Sequence, residues 1–272
     1  MLWFLALLVL CYAPVLNRLV MVWNSDEDMG HGFFVPPLAA YIAWQSRHEL
    51  FAEPFRTNWW GLALVVYAAL QLGIATLGAE VFLARTAFVL SIAGCILFAG
   101  GTRALRILAF PIVLLFFMVP IPSIIYNRIT LPLQFFASSV AETILNLLGT
   151  PVLRQGNVLE LPSQTLSVVE ACSGIRSLLS LSFLSLVYGW FFERRTWVRW
   201  ALFLATVPIA IIANSGRVTI TGVMSEINPE LAQGFFHTAS GWVIFMIALV
   251  ILVVFHQVLH LMIRIGGHRH AG

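Results

Sequence analysis

Apolar runs long enough to cross a lipid bilayer recur from one end of the chain to the other. A membrane-spanning helix needs about 20 mostly apolar residues. Inside lipid the backbone must satisfy its own hydrogen bonds, which a helix does within a single segment. Such runs lie near 2–22, 32–46, 60–78, 82–100, 104–120, 172–192, 197–213 and 240–262. They predict an all-α integral membrane fold with about eight transmembrane helices. Only 10% of the 272 residues are charged, against roughly 25% in soluble domains. With apolar runs throughout, residues 1–272 read as a single membrane domain. The first run has no basic leader and no clear small-residue cleavage site, so it is expected to be a span and not a removed signal.

Between Pro120 and Glu170 the texture changes. PIPSIIYNRITLPLQ carries three prolines and an arginine, and residues 133–148 read as a helix interrupted by Gln134, Ser138, Ser139, Glu142 and Asn146. PVLRQGNVLELPSQTLSVV then alternates apolar and polar around Gly156-Asn157. That alternation with a Gly-Asn turn predicts a small β-hairpin.

All 15 basic residues are arginine, and their placement sets the orientation. Arginine collects on the cytoplasmic side of membrane proteins. With eight spans and an inner N-terminus, the inner connections hold Arg47, Arg56, Arg103, Arg106, Arg194, Arg195, Arg199, Arg264 and Arg269. The outer connections then hold Asp26, Glu27, Asp28, Glu80, Glu160, Glu170, Glu226 and Glu230. A single extra crossing at 129–148 would invert the second half and expose Arg194, Arg195 and Arg199 outside. Residues 121–170 are therefore expected on the outer side, as a re-entrant or interfacial helix plus the hairpin. A helical hairpin crossing twice preserves the same parity.

On that outer face fall three reactive residue types. Cys172, in EACSGIRSLLSL (170–181), is expected to open a helix. The positive end of a helix dipole and its unpaired N–H groups favour a thiolate. Arg176 lies one turn on and on the same face. Arg217 sits in ANSGRVTITG (213–222), beside Asn214; a permanently charged planar guanidinium suits an oxyanion developing in acyl transfer. His237, in GFFHTASGW (234–242), has the ordinary pKa range for moving protons at neutral pH. His31, in MGHGFF, is also outward, whereas His256, His260, His268 and His270 lie toward the inner end and are given no role. A Cys/His/Arg site of this kind forms a thioester and either cleaves an amide or transfers an acyl group.

Other classes recede. Cys11, Cys95 and Cys172 form no CxxC pair, disulfide framework or Cys/His spacing that marks a metal site. No metal or organic cofactor is implied. No basic stripe interleaved with aromatics points to nucleic acid.

At these motifs the sequence resembles the exosortase family, multi-spanning membrane transpeptidases. EDMGHGFFVPPLAAYIAW (27–44) resembles the family's early His-Gly-aromatic-Val-Pro segment, and FPIVLLFFMVPIPSIIYNRITLPLQ (110–134) its proline-rich centre. GNVLELPSQTLSVVEACSGIRSL (156–178) resembles the hairpin and nucleophile motif. ANSGRV (213–218) fits the Asn-x-x-Arg element and GFFHTASGW the histidine element. The resemblance implies Cys172 as nucleophile, Arg217 as oxyanion or positioning group and His237 as proton-transfer group. Arg176 is expected to depress the thiol pKa and Glu170 to bind or orient, with Asn214 and His31 as supporting residues. The implied partners are secreted proteins with a C-terminal sorting tail: a Pro-Glu-Pro-like motif, an apolar helix and a basic end. An acceptor nucleophile at the membrane surface and the membrane lipids complete the list. The implied location is the cell inner membrane, with the site facing the periplasm and a link to exopolysaccharide export.

Two other readings use the same residues. A membrane acyltransferase would employ the same thiol and histidine on a lipid or glycan. An exopolysaccharide-export scaffold would use the polar residues structurally or to line a path. Cysteine-dependent shortening of a protein tail separates the first reading from both.

Overall fold

The computed structural model describes residues 2–52, 54–167, 174–228 and 234–269, a few of them by backbone alone. The chain divides into two compact units, Met1–Pro122 and Ser123–Gly272.

In the first unit prolines cut the apolar sequence into short pieces. Helix α1 (Leu2–Cys11) stops at Tyr12, and α2 (Ala13–Ser25) restarts with Pro14 in its first turn. Proline is suited to that position because its missing N–H would be unpaired there anyway. A 3-10 segment, Glu27–Phe33, leads into α3 (Val35–Gln45), which opens on Pro36-Pro37, and a single turn α4 (Arg47–Leu50). Two long helices follow. In α5 (Trp59–Leu77) Asn58 caps the start by accepting from Trp60 N–H, and in α6 (Val81–Ile107) Glu80 caps Phe82 and Leu83. They pack through glycine: a Cβ at Gly61 would stand 2.1 Å from the Phe98 backbone nitrogen. Small residues at such interfaces let helix backbones approach in lipid. Gly101, at φ +72°, breaks α6 near its end. Helix α7 (Ala109–Leu115) and a 3-10 turn to Met118 close the unit.

The second unit begins with α8 (Ser123–Leu147), which runs through Pro132. The sequence placed this helix at 133–148; its end agrees and its start lies ten residues earlier. The expected hairpin is present as β1 (Leu153–Gln155) and β2 (Val158–Glu160), paired Leu153 to Glu160 and Gln155 to Val158. Gly156 supplies φ +68° at the first position of the two-residue turn, where a type II′ hairpin needs glycine. A third strand, β3 (Thr165–Ser167), adds to β2 and was not foreseen. Among the described residues three helices follow: α9 (Gly174–Phe192), α10 (Thr196–Ile227) and α11 (Gly234–Arg269). They share a core of Leu181, Val198, Leu202, Ile209, Ala213, Ile244, Ala248 and Leu252.

The chain is a helical membrane protein with a small sheet. Among the described residues, four helices are long and apolar enough to cross a membrane: Trp59–Leu77, Val81–Ile107, Thr196–Ile227 and Gly241–Ile265. A fifth appears if Ala109–Met118 and Ser123–Leu147 are counted as one broken span, and Ser177–Phe192 is a shorter apolar helix. The predicted eight is not reached by this measure: the runs at 2–22 and 32–46 fold as helices of 10 to 13 residues, that at 104–120 is split between the end of α6 and the short α7, and that at 172–192 counts only as the shorter Ser177–Phe192.

Candidate active site

Arg217 does not follow the end of a helix, although the apolar run stops at Ala213. It lies inside α10, which continues for ten residues beyond it. Hydropathy ends the run at Ala213 because Asn214, Ser215 and Thr219 come next. Those polar residues remain helical, since the Ser215 hydroxyl donates to the Ile211 carbonyl and the Thr219 hydroxyl to the Ser215 carbonyl. Asn214, Ser215, Arg217 and Thr219 are all buried, Arg217 to 8% exposure. A buried guanidinium is costly to hold in a dry interior, so its surroundings matter.

One side of those surroundings is α11. A Cβ built on Gly241 would stand 3.2 Å from Arg217 Cζ and Nη2. The guanidinium therefore lies against the bare backbone of Gly241. His237 stands four residues earlier on α11, one turn away on the same face. Its side chain lies outside the described residues; its backbone stands about 6 Å along α11 from the Gly241 contact.

The neighbouring face of α10 meets the sheet. Val218 turns about 100° around the helix from Arg217 and packs with Leu159, Leu161 and Leu166 of the sheet and Ala137, Ala141 and Leu145 of α8. Polar links hold the sheet there. Ser163 donates from its N–H and hydroxyl to Glu226 Oε1 near the end of α10, at 3.1 and 2.6 Å. Arg154 Nε donates to Glu142 Oε2 on α8 at 2.7 Å, and Asn157 Nδ2 to Gln134 Oε1 at 3.0 Å.

Cys172 and Glu170 lie outside the described residues. Their described flanks are Ser167, which ends β3, and Gly174, which begins α9. Arg176 stands in the first turn of α9, its side chain outside the described residues. His31 belongs to the first unit, where its Nε2 donates to the Phe117 carbonyl at 3.1 Å. Beside it, Gly32 leaves room for the Trp23 indole, which donates to the Met118 carbonyl. The His-Gly motif thus ties the 3-10 segment to the turn before Pro120.

The sequence reading passed over a second constellation. Glu193, His256 and His260 converge between the α9–α10 turn and α11, with ligand atoms within 4.8 Å of one another. His260 Nε2 is 2.7 Å and His256 Nε2 3.3 Å from Glu193 Oε2. The other carboxylate oxygen accepts from Arg195 N–H at 2.7 Å. Burial alone would raise the Glu193 pKa; the Arg195 N–H and the two imidazoles outweigh it and hold the carboxyl at about 2. A visible signal existed: two histidines four residues apart in an apolar helix. Their carboxylate partner is 63 residues away from His256, so no local spacing reveals it.

A family model described as transmembrane exosortase matches residues 23–254. No curated protein and no solved structure matches the chain.

Proposed function

Because the chain belongs to the transmembrane exosortase family, we propose that it is a membrane cysteine transpeptidase or protease acting on C-terminal sorting tails of secreted proteins. The observation that carries this reading is the seat of Arg217, buried in α10 and laid against Gly241 one turn from His237. A cation fixed in a water-poor site stabilises a developing oxyanion far more than one in solvent does.

In this mechanism the Cys172 thiolate attacks the scissile carbonyl carbon. The carbonyl π pair moves to oxygen, and Arg217 stabilises the oxyanion. Collapse re-forms the carbonyl and breaks the C–N bond, and the leaving amine takes a proton from His237. The acyl group is now a thioester on Cys172. An acceptor amine or hydroxyl, or water, gives a proton to neutral His237 as it attacks, and Cys172 leaves as thiolate. Transfer and hydrolysis share every step except the identity of this last nucleophile.

The proposed setting is the cell inner membrane, with the site outward and up to eight spans. The arginine-rich turn at Arg194 and Arg195 precedes α10. Arg217 comes 21 residues after the helix begins, roughly 32 Å along its axis. That is about the thickness of the hydrocarbon core, so an inner start puts Arg217 at the outer boundary. An apolar tail held in the bilayer would present its scissile bond there.

The test is a co-expressed secreted reporter carrying a sorting tail, sized in cells with the parent protein, Cys172→Ala, His237→Ala or Arg217→Lys. Tail removal by the parent alone is the expected result. Equal processing by Cys172→Ala removes the nucleophile, and an intact tail throughout with confirmed expression of both proteins favours the acyltransferase or scaffold.

A further inference from the structure

The second unit has polar chemistry at both ends of its helices. His256 lies 19 residues after His237 on α11, roughly 28 Å away along the axis. The group of Glu193, His256 and His260 therefore cannot take part in chemistry at Arg217 and His237, and needs an account of its own.

We propose that Glu193, His256 and His260 form a binding site for a divalent first-row transition metal, with zinc as the fitting ion. The donor set is two imidazoles and one carboxylate, which suits zinc and its neighbours. The histidines are four apart on one helix face, the spacing that aims two imidazoles at a single ion. The residue after His256 is Gln257, so the glutamate base of the zinc-peptidase helix motif is missing. The third donor comes instead from the α9–α10 turn.

The geometry is close to what an ion requires. Metal–ligand bonds near 2.0–2.2 Å in a tetrahedron place donor atoms roughly 3.3–3.5 Å apart. Glu193 Oε2 already stands 2.7 and 3.3 Å from the two imidazole nitrogens. Glu193 is 4% exposed and the His256 side chain 6%, while His260 is partly open at 37%.

The surrounding groups orient the donors as metal sites require. Oε1 of Glu193 is taken by Arg195 N–H, leaving Oε2 as a single donor. Arg199 Nε fixes the same residue through its carbonyl at 2.8 Å, and stacks its guanidinium 5.1 Å over Trp190. The Tyr188 oxygen lies 2.8 Å from His256 Nδ1. When His256 carries its proton on Nδ1 and donates to Tyr188, the Nε2 lone pair points toward Glu193 and His260. Binding replaces the imidazole protons now facing Oε2: each moves to Nδ1 or is released to solvent.

A cleft of about 380 Å³ lined by Tyr188, His256, Gln257, His260 and Arg264 adjoins the group. It gives an ion an entry path and leaves room for water as a fourth ligand. A bound ion would staple the α9–α10 turn to α11.

The experiment uses full-length protein in detergent, purified on a tag without histidine and titrated with Co²⁺ as spectroscopic probe, then with competing Zn²⁺. One Co²⁺ per chain with the intense visible absorption of low-coordinate cobalt is expected, displaced by one equivalent of Zn²⁺. His260→Ala and Glu193→Gln should each weaken Co²⁺ at least tenfold. His260 is the partly exposed donor, so its truncation leaves the helix core intact, and an unchanged gel-filtration profile checks this. The pair His268→Ala/His270→Ala should bind as the parent does. No stoichiometric uptake by the parent protein overturns the proposal whatever the variants do. Unchanged binding in His260→Ala and Glu193→Gln overturns it too, as does loss in the His268/His270 pair. Binding is read without substrate, so the result is independent of tail cleavage.

Discussion

Gly241 has no side chain, and the Arg217 guanidinium fills the space where one would be. A Cβ there would meet Cζ at 3.2 Å and Nη1 at 3.3 Å, tight enough to move the cation by a few tenths of an ångström. Small displacements of a positioned group are expensive in catalysis. Gly241→Ala is expected to slow tail removal about tenfold while leaving folded yield close to that of the parent. Arg217→Lys keeps the charge but loses the planar fork, and should cost about a hundredfold or more, the scale of a lost oxyanion donor. Time courses of reporter processing with matched expression measure both. If Gly241→Ala processes at the parental rate, the Arg217–Gly241 contact does not aim the cation. As candidates Cys172, Arg217 and His237 were visible in the sequence, because each sits in a polar motif beside an apolar run. Glu193 was not, since its meaning arises only when the α9–α10 turn is brought against α11.

At the scale of elements, legibility followed the signal each element leaves in sequence. The Gly156-Asn157 turn has a chemistry of its own, and the β1–β2 hairpin was read from it. Strand β3 (Thr165–Ser167) lies within the same alternating stretch, but no Gly-Asn turn marks its pairing with β2. Hydropathy runs together pieces that Pro14, Pro36, Pro37 and Pro111 end or restart as separate helices, so eight spans of one helix each are not found among the described residues. The sheet is fastened to α10 by polar contacts. Ser163 places two hydrogen bonds on one Glu226 oxygen, each worth about 1 kcal/mol net. Glu226→Ala is therefore expected to speed amide hydrogen exchange over residues 158–167 about tenfold, with α9–α11 unaffected. Exchange unchanged in that window means the α8 links hold the sheet alone. In the first unit the α5–α6 contact is the sensitive one. Gly61→Ala drives a Cβ to 2.1 Å from the Phe98 nitrogen, which backbone cannot yield to without the helices parting. A loss of about 1–3 kcal/mol, the range for overpacking, should appear as a lower melting temperature in detergent. An unchanged melting temperature would show that the pair separates without penalty.

For the molecule as a whole, α10 carries the strongest constraint on how the chain sits in a membrane. Its 32 residues reach about 48 Å, well beyond a hydrocarbon core of about 30 Å. Arg194 and Arg195 lie before its first turn, and the sheet loop at Pro162 and Ser163 is fastened to Glu226 in its last. Pro162 and Arg194 are both exposed, and they mark opposite ends of one helix. If α10 spans, the two must face opposite compartments, and the arginine excess assigns Arg194 to the cytoplasm. Single cysteines make this measurable. In a background lacking Cys11, Cys95 and Cys172, Pro162→Cys should react with a membrane-impermeant maleimide in intact cells. Arg194→Cys should react only after the membrane is permeabilised. The reverse pattern inverts the orientation and would move the Arg217 level to the cytoplasmic side, away from any secreted tail. Labelling of both in intact cells means that α10 does not cross at all. An Arg217 level on the cytoplasmic side excludes secreted tails as the substrate, and in either case the proposed metal group would face a different compartment from the one its arginine-rich neighbours imply.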